Sequence, residues 1–466
     1  MPTVRELLNE AWALREQAEL ARAEQIYRLI VGQFPESAST WFLLGIVLND
    51  QRRHREAIQA YREALCIRPE YPAAWNNLGN AYWCLCEVEQ AEACYAIALR
   101  LKPDYALALK NRGMLLAGGG DFQRAFDCYQ AGLRVTPDDP ELHRNLGLLY
   151  LRHGDFARGW PEYAWRWRCP DLHRPPFTQS VWNGQPVHGK TILIYAEQGL
   201  GDTIHFIRLV ERVKARGART LVVVQPALLP LLKTCRGIDR WLPALESVEE
   251  HFDYHCSLID LASVFVEIAS DIQAGGPYIT PNPGLVEYWR HWAEQRFTSG
   301  KRRVGIVWQG NPRQPVDHFR SCPLAALEPL TRVESVQLLS LQIGMGNDQL
   351  TDWAQRNKIL VVPPEFDNAS GAFMDSAALL AHLDLLISVD TAILHVAGAL
   401  GRPVWLLLGS APDWRWMIQR SDSPWYSTLR LFRQTRPGAW DTVVGRVVAA
   451  LDGGPSGCEK SYSFAG

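Results

Sequence analysis

Six residues, Asp390-Thr391-Ala392-Ile393-Leu394-His395, stand where a strand turns into a helix. The run before them, Leu383-Asp384-Leu385-Leu386-Ile387-Ser388-Val389, has the length and apolarity of a buried strand. The run after them, Val396-Ala397-Gly398-Ala399-Leu400, reads as a helix closed by Gly401 and Pro403. At such a turn, free N–H groups and the helix dipole favour an anion such as a diphosphate, and open α/β sheets bind ligands at strand carboxyl ends. Asp and Thr are also ordinary cap residues and His395 also fits inside an apolar helix, so these six residues leave both readings open.

A second turn, Glu197-Gln198-Gly199-Leu200-Gly201-Asp202-Thr203, follows the strand-like run Thr191-Ile192-Leu193-Ile194-Tyr195-Ala196. Its glycines let the backbone turn tightly and approach a ligand, which sets Asp202 at the mouth of a crevice with Gln198, Gly199 and Gly201 beside it. The dinucleotide fingerprint is not met: a third glycine is missing and the next strand run closes in Gln225-Pro226, without an acidic residue. His205, close behind Asp202, either faces the crevice or packs in the core. A third turn, Gln309-Gly310-Asn311-Pro312-Arg313, and the segment His318-Phe319-Arg320-Ser321-Cys322-Pro323-Leu324 would add Gln309, Asn311 and Arg320 to the same crevice. Ala411-Pro412-Asp413-Trp414-Arg415-Trp416 reads either as a platform that stacks on a base or sugar or as a buried anchor. No Asp-x-Asp pair stands at a strand end, and no metal is expected.

These turns need elements to hold them. At 466 residues the chain has room for about three domains. Its net charge of -2 gives no support to nucleic-acid binding, which calls for a basic excess or stripe. The first residues lack a signal-peptide core and no apolar run reaches the length of a membrane span, so a cytoplasmic protein is expected. The cysteines form no CxxC pair, and Cys66, Cys84, Cys86, Cys94 and Cys128 read as small apolar residues of helices.

The N-terminal part is periodic. Pro35, Pro69, Pro103 and Pro137 keep a step of 34 residues, as do Tyr27, Tyr61, Tyr95, Tyr129 and Tyr163, and Ala23, Ala57, Ala91 and Ala125. The unit Trp75-x-x-Leu78-Gly79-x-x-Tyr82, with Ala91, Tyr95 and Pro103, resembles the tetratricopeptide repeat. Small Gly and Ala let two helices approach, aromatics fill the space between them, and Pro ends the second helix. Such a superhelix offers a protein-binding face or a dimerisation arm for a homo-oligomer; Asn76, Asn77, Asn80 and Asn111 either line that face or are simply solvated. The expected repeat domain is 1–167.

A linker at 168–189, rich in Pro and Gly, precedes a change of grammar to strands alternating with helices, which predicts parallel sheets. A helix is expected at 203–216, and a polar stretch with Pro277, Pro281 and Pro283 lies at 275–301 between the two halves. The fold class expected is therefore α plus α/β: a repeat solenoid, then a Rossmann-like half at 190–290, a second at 300–452, and a disordered tail at 453–466.

The Gly-Leu-Gly-Asp turn, the Arg320-Ser321-x-Pro323-Leu324 segment and Ser388-Val389-Asp390-Thr391-x-x-x-His395 followed by Gly401-x-Pro403 resemble GT-B glycosyltransferases of the heptosyltransferase type. The whole layout is similar to bacterial transferases fused to tetratricopeptide repeats, with O-GlcNAc transferase a more distant analogue. The resemblance implies an inverting, metal-independent transfer from a nucleotide-sugar to a hydroxyl, the acceptor being Ser or Thr of a protein bound by the repeats. It implies Asp202 as general base, and Gln309, Asn311, Arg320, Asp390, Thr391, Ala392 and His395 on the donor. Gln198, Gly199, Gly201, His205, Asp413 and Trp414 become candidate contacts to donor or acceptor. Ala392 stands where the family carries Gly. The alternatives are transfer to a lipid-linked or surface-polysaccharide glycan, and a non-catalytic scaffold with a degenerate nucleotide site.

Overall fold

The computed structural model describes residues 3–272, 274–312, 317–368 and 370–453. Arg313 and the expected tail from 454 lie outside the described residues, as does the side chain of His318. The chain divides into two compact units, Met1–Leu146 and Gly147–Gly466, a division ahead of the expected end of the repeats at 167.

In the first unit, helices come in pairs: Val4–Glu16 with Leu20–Gln33, Ala38–Asp50 with His54–Ile67, Pro72–Cys84 with Val88–Leu101, and Ala106–Gly119 with Phe122–Val135. The 34-residue step has a direct cause. A Cβ on Gly45 would lie 2.5 Å from the Tyr61 ring, one on Gly79 2.7 Å from the Tyr95 ring and one on Gly113 2.4 Å from the Tyr129 ring, so these three repeats need a glycine where the tyrosine crosses. The indole N–H groups of Trp41 and Trp75 donate to the carbonyls of Pro35 and Pro69, both at 2.8 Å, which ties each repeat to the proline closing the one before. Two expectations change. Cys66, Cys84 and Cys86 are exposed, because they fall at helix ends where the packed face has run out; Cys94 and Cys128 are buried. Asn76 is fully buried and accepts from Asn111 Nδ2 at 2.9 Å, which joins neighbouring repeats.

The second unit contains two parallel sheets. Strands β1 (Ser180–Val181), β2 (Thr191–Tyr195), β3 (Arg219–Val223), β4 (Arg240–Leu242) and β5 (Tyr254–Ser257) pair in the order β1-β5-β2-β3-β4. Strands β6 (Arg302–Val307), β7 (Val336–Ser340), β8 (Leu360–Val361), β9 (Leu385–Val389), β10 (Val404–Leu408) and β11 (Leu429–Arg433) pair in the order β11-β10-β9-β6-β7-β8. The second order is the doubly wound Rossmann order, in which the first and fourth strands of the half lie side by side and their helices leave on opposite faces. The crevice at that switch point lies between the ends of β6 and β9, where the Gln309 and Asp390 turns stand. The first half repeats the pattern, with the Glu197 turn at the end of β2 beside β5.

One hydrophobic core runs through both halves, with Ile194, Phe206, Ile393, Leu394, Trp414 and Trp425 in the same cluster. One expected element differs, and one helix was not foreseen. The helix expected at 203–216 begins earlier, as Leu200–Phe206, and passes through a 3-10 turn, Ile207–Leu209, into Val210–Ala215. The polar stretch at 275–301 contains a helix, Pro283–Arg296. Asn282 starts it, its Oδ1 accepting from the Gly284 and Leu285 N–H groups, and Trp289 and Trp292 give it a buried face. Trp289 donates to Asp375 Oδ1 at 2.8 Å.

Candidate active site

Asp202 lies in the first turn of helix Leu200–Phe206, and its Oδ2 accepts from the Gly199 N–H at 3.0 Å. Its other oxygen, Oδ1, is ion-paired with a guanidinium nitrogen of Arg415, from the second half. Burial pushes the Asp202 carboxyl above the usual carboxylate range, while the Arg415 charge pulls it back.

Asp390 and Thr391 do not cap the following helix through their side chains. Thr391 is the N-cap by backbone conformation, without a side-chain cap bond, and Asp390 Oδ2 instead accepts from the Trp416 indole N–H at 2.8 Å. Burial and the neighbouring Asp413 push the Asp390 carboxyl up; the Trp416 hydrogen bond and the charges of Arg415 and Arg320 oppose them. The two turns meet directly. A Cβ on Gly201 would lie 3.1 Å from His395 Cδ2 and 3.4 Å from Ala392 Cα, so the glycine of one half is what lets the Ala392 turn of the other approach.

The Asp413 turn is an anchor. Trp414 and Trp416 are buried, and Trp414 is enclosed by Trp160, Phe206 and Trp425, so its ring does not form a platform for a ligand. Asp413 Oδ1 takes the Arg415 backbone N–H at 3.0 Å and a guanidinium N–H at 2.7 Å. The guanidinium lies against the Phe206 and Trp414 rings, 5.0 and 5.1 Å from their centroids.

His205 is fully buried and faces the core, not open crevice. Its Nδ1 and the Nδ1 of His395 both lie 3.0 Å from the Tyr426 hydroxyl, which therefore joins one helix from each half. Burial and the Arg208 and Arg415 charges hold both imidazoles well below their ordinary range, so both are neutral.

Arg320 is close enough to Asp390 for its charge to be felt there. Its Nε donates to Asp317 Oδ1 at 2.9 Å, Ser321 Oγ donates to Asp317 Oδ2 at 2.9 Å, and Ser321 Oγ accepts the Gly310 N–H at 2.9 Å. Gln309 is held by Gln342, whose Oε1 accepts its N–H at 3.1 Å and whose Nε2 donates to its carbonyl at 3.1 Å. Asn311 and Gln198 are exposed near these turns, Gln198 donating to the Tyr163 hydroxyl at 3.2 Å. Among the described residues, no group of three or more His, Cys, Asp or Glu is placed to hold a metal.

Of the turns picked from sequence, Gly201 and Asp202 of the first half come together with Asp390, Ala392, His395 and Asp413 of the second, Gly199 is bonded to Asp202, and Arg320 acts electrostatically on Asp390, while Gln309 is tied to Gln342. Sequence reasoning missed Gln342, Asp317 and Tyr426 and left Arg415 and Trp416 undecided. The density of Trp and Arg in 413–416 was the available signal, because such residues in a loop are either buried or bound.

In the first half the crevice at the end of β2 is filled. Arg166 donates to both oxygens of Glu197, at 2.9 and 3.0 Å, and to Asp260 Oδ1 at 2.6 Å, with Arg166 and Glu197 almost wholly buried.

Comparison with known proteins follows the same division. The model of glycosyltransferase family 9 (heptosyltransferase) matches residues 372–439, which span the Asp390 turn and the Asp413–Trp416 loop. Tetratricopeptide repeat models match residues 45–85, 116–154 and 72–105. Protein FlbA of Caulobacter vibrioides is 28% identical over 314 residues, 63% of this chain and 52% of FlbA, so the chain spans about half the length of that relative. Among solved structures, MamA matches at 19% identity over 34% of this chain and 92% of its own, with a TM-score of 0.31. A thermophilic TPR protein of Thermus thermophilus matches at 20% over 36% and 92%, with a TM-score of 0.33. The chain thus joins tetratricopeptide repeats to a parallel α/β unit in which residues 372–439 match the glycosyltransferase family 9 model.

Proposed function

We propose that the chain is an inverting glycosyltransferase that moves a sugar from a nucleotide-sugar to the hydroxyl of Ser or Thr in a protein held by the repeats. Asp202 is the general base. The turn Asp390 to His395 and the Arg320 guanidinium receive the donor diphosphate, with Gln309 and Asn311 at its edge. In the reaction the acceptor oxygen forms a bond to the anomeric carbon as the bond from that carbon to the diphosphate breaks. Asp202 takes the hydroxyl proton, and the nucleoside diphosphate leaves with the electron pair. Negative charge growing on the leaving group calls for cations and N–H donors, which Arg320 and the start of helix Ala392–Ala399 supply without a metal.

The observation that carries this reading is the meeting of Asp202 with the Asp390 turn across Gly201 and Ala392. A base on one half and an anion-binding turn on the other are what a transfer between two bound substrates requires. The test is release of nucleoside diphosphate from nucleotide-sugars. Asp202→Asn should lower it by roughly 10²- to 10⁴-fold, the usual contribution of a positioned base, while leaving donor binding intact. Equal rates in wild type and variant would remove Asp202 from this role.

A second reading, transfer to a lipid-linked or surface glycan, draws on the heptosyltransferase description of the matching family. It keeps the same residues and differs in acceptor, so sugar on a copurifying protein favours the first and its absence, with transfer to extracted glycan, the second.

A further inference from the structure

We propose that the loop Asp413 to Trp416 is a clamp on the reacting groups, with Arg415 and Trp416 as positioning residues that aim Asp202 and Asp390 from a single turn. This rests on the reading of Asp202 as base and Asp390 as part of the donor turn.

The geometry is specific. Arg415 and Trp416 are adjacent in sequence, yet the first pairs with the carboxylate of the first half and the second donates its indole N–H to the carboxylate of the second, at 2.8 Å. Neither side chain is free to wander. The Arg415 guanidinium is fixed by Asp413 and by the rings of Phe206 and Trp414. The Trp416 ring lies nearly parallel to His395, at 5.7 Å between centroids and 20° between planes. The peptide itself is held at Met417, whose φ of +48° is a conformation non-glycine residues seldom adopt and which sharply ends the turn. Four residues therefore set the distance between a base on one half and a donor site on the other.

The pairing has a chemical consequence. A buried carboxylate keeps its proton unless a positive charge faces it, and a protonated Asp202 accepts nothing from an acceptor hydroxyl. The charged groups facing Asp202 are Arg415, which favours its ionised form, and Asp413, which opposes it. Arg415 both points the carboxylate and keeps it able to take a proton. Its Nε is buried without a partner, so the side chain spends its remaining contacts on Asp202 and Asp413.

The experiment compares full-length wild type, Arg415→Lys, Arg415→Met and Trp416→Phe. Two quantities are read: diphosphate release from ADP-, UDP- and GDP-sugars across pH, and the melting shift given by ADP, UDP and GDP. Arg415→Met should lower kcat/KM at neutral pH at least tenfold and move the acidic limb of its pH profile upward, with the melting shift kept. Arg415→Lys should return the limb toward wild type. Trp416→Phe should weaken the melting shift and leave the limb in place. A merely structural role would lower both readings together without moving the limb. Wild-type limb and rate in Arg415→Met, or an unchanged melting shift in Trp416→Phe, would overturn the clamp. Wild type that releases no diphosphate refutes the transferase reading instead, and the clamp falls with it.

Discussion

Asp390 has a burden that can be read from stability alone. Its folded-state carboxyl titrates above the unfolded one, because burial and Asp413 disfavour its charge. A raised carboxyl holds its proton more tightly when folded, so its favourable contribution is complete below the unfolded value and is lost as pH rises through the folded one. Asp390→Asn keeps an oxygen for the Trp416 indole and removes the charge. Relative to wild type, the variant should gain on the order of 1 kcal/mol between mildly acidic and neutral pH, measured by denaturant melts at both. A constant difference would mean that Asp390 is not titrating in that range. At this scale much of the site was legible: glycines, carboxylates and a basic residue at strand ends announce themselves by type. The partners of those residues were not. Arg415 reaches Asp202 across 213 positions of sequence, and nothing local in either segment encodes that meeting.

Among the elements, legibility followed apolarity. The runs giving β2 and β9 were read within a residue or two, because each is a nearly continuous apolar stretch buried on both faces. Strand β5, Tyr-His-Cys-Ser, and β11, which alternates Leu, Arg, Leu, Phe and Arg, carry too much polarity to stand out. The helix beginning at Leu200 was placed late, since its first turn is made of the glycines and aspartate of the site itself. One glycine outside those turns also matters. A Cβ on Gly409, just past β10, would overlap the carbonyl oxygen of Phe319, the residue before Arg320. Gly409→Ala should therefore cost about 1–3 kcal/mol in stability and weaken nucleoside diphosphate binding by displacing Arg320. Unchanged melting and binding would show that the Phe319 segment yields without cost.

At the scale of the whole chain, a fixed period of 34 residues and a switch to strand–helix alternation announced both kinds of fold, because each reflects packing repeated many times. What no repeated pattern announces is the ligand. No helix among the described residues is long and apolar enough to cross a membrane. The proposed function stands on the Asp390 turn receiving a nucleoside diphosphate. The most direct measurement is the melting temperature of the full-length protein against ADP, UDP, GDP and their sugars, repeated in Asp390→Ala. A ligand at about a hundred times its dissociation constant adds about 2.7 kcal/mol, well within reach of a melt. The predicted result is a shift with one nucleotide family and its loss in the variant. No shift with any of them, or the same shift in Asp390→Ala, would contradict it.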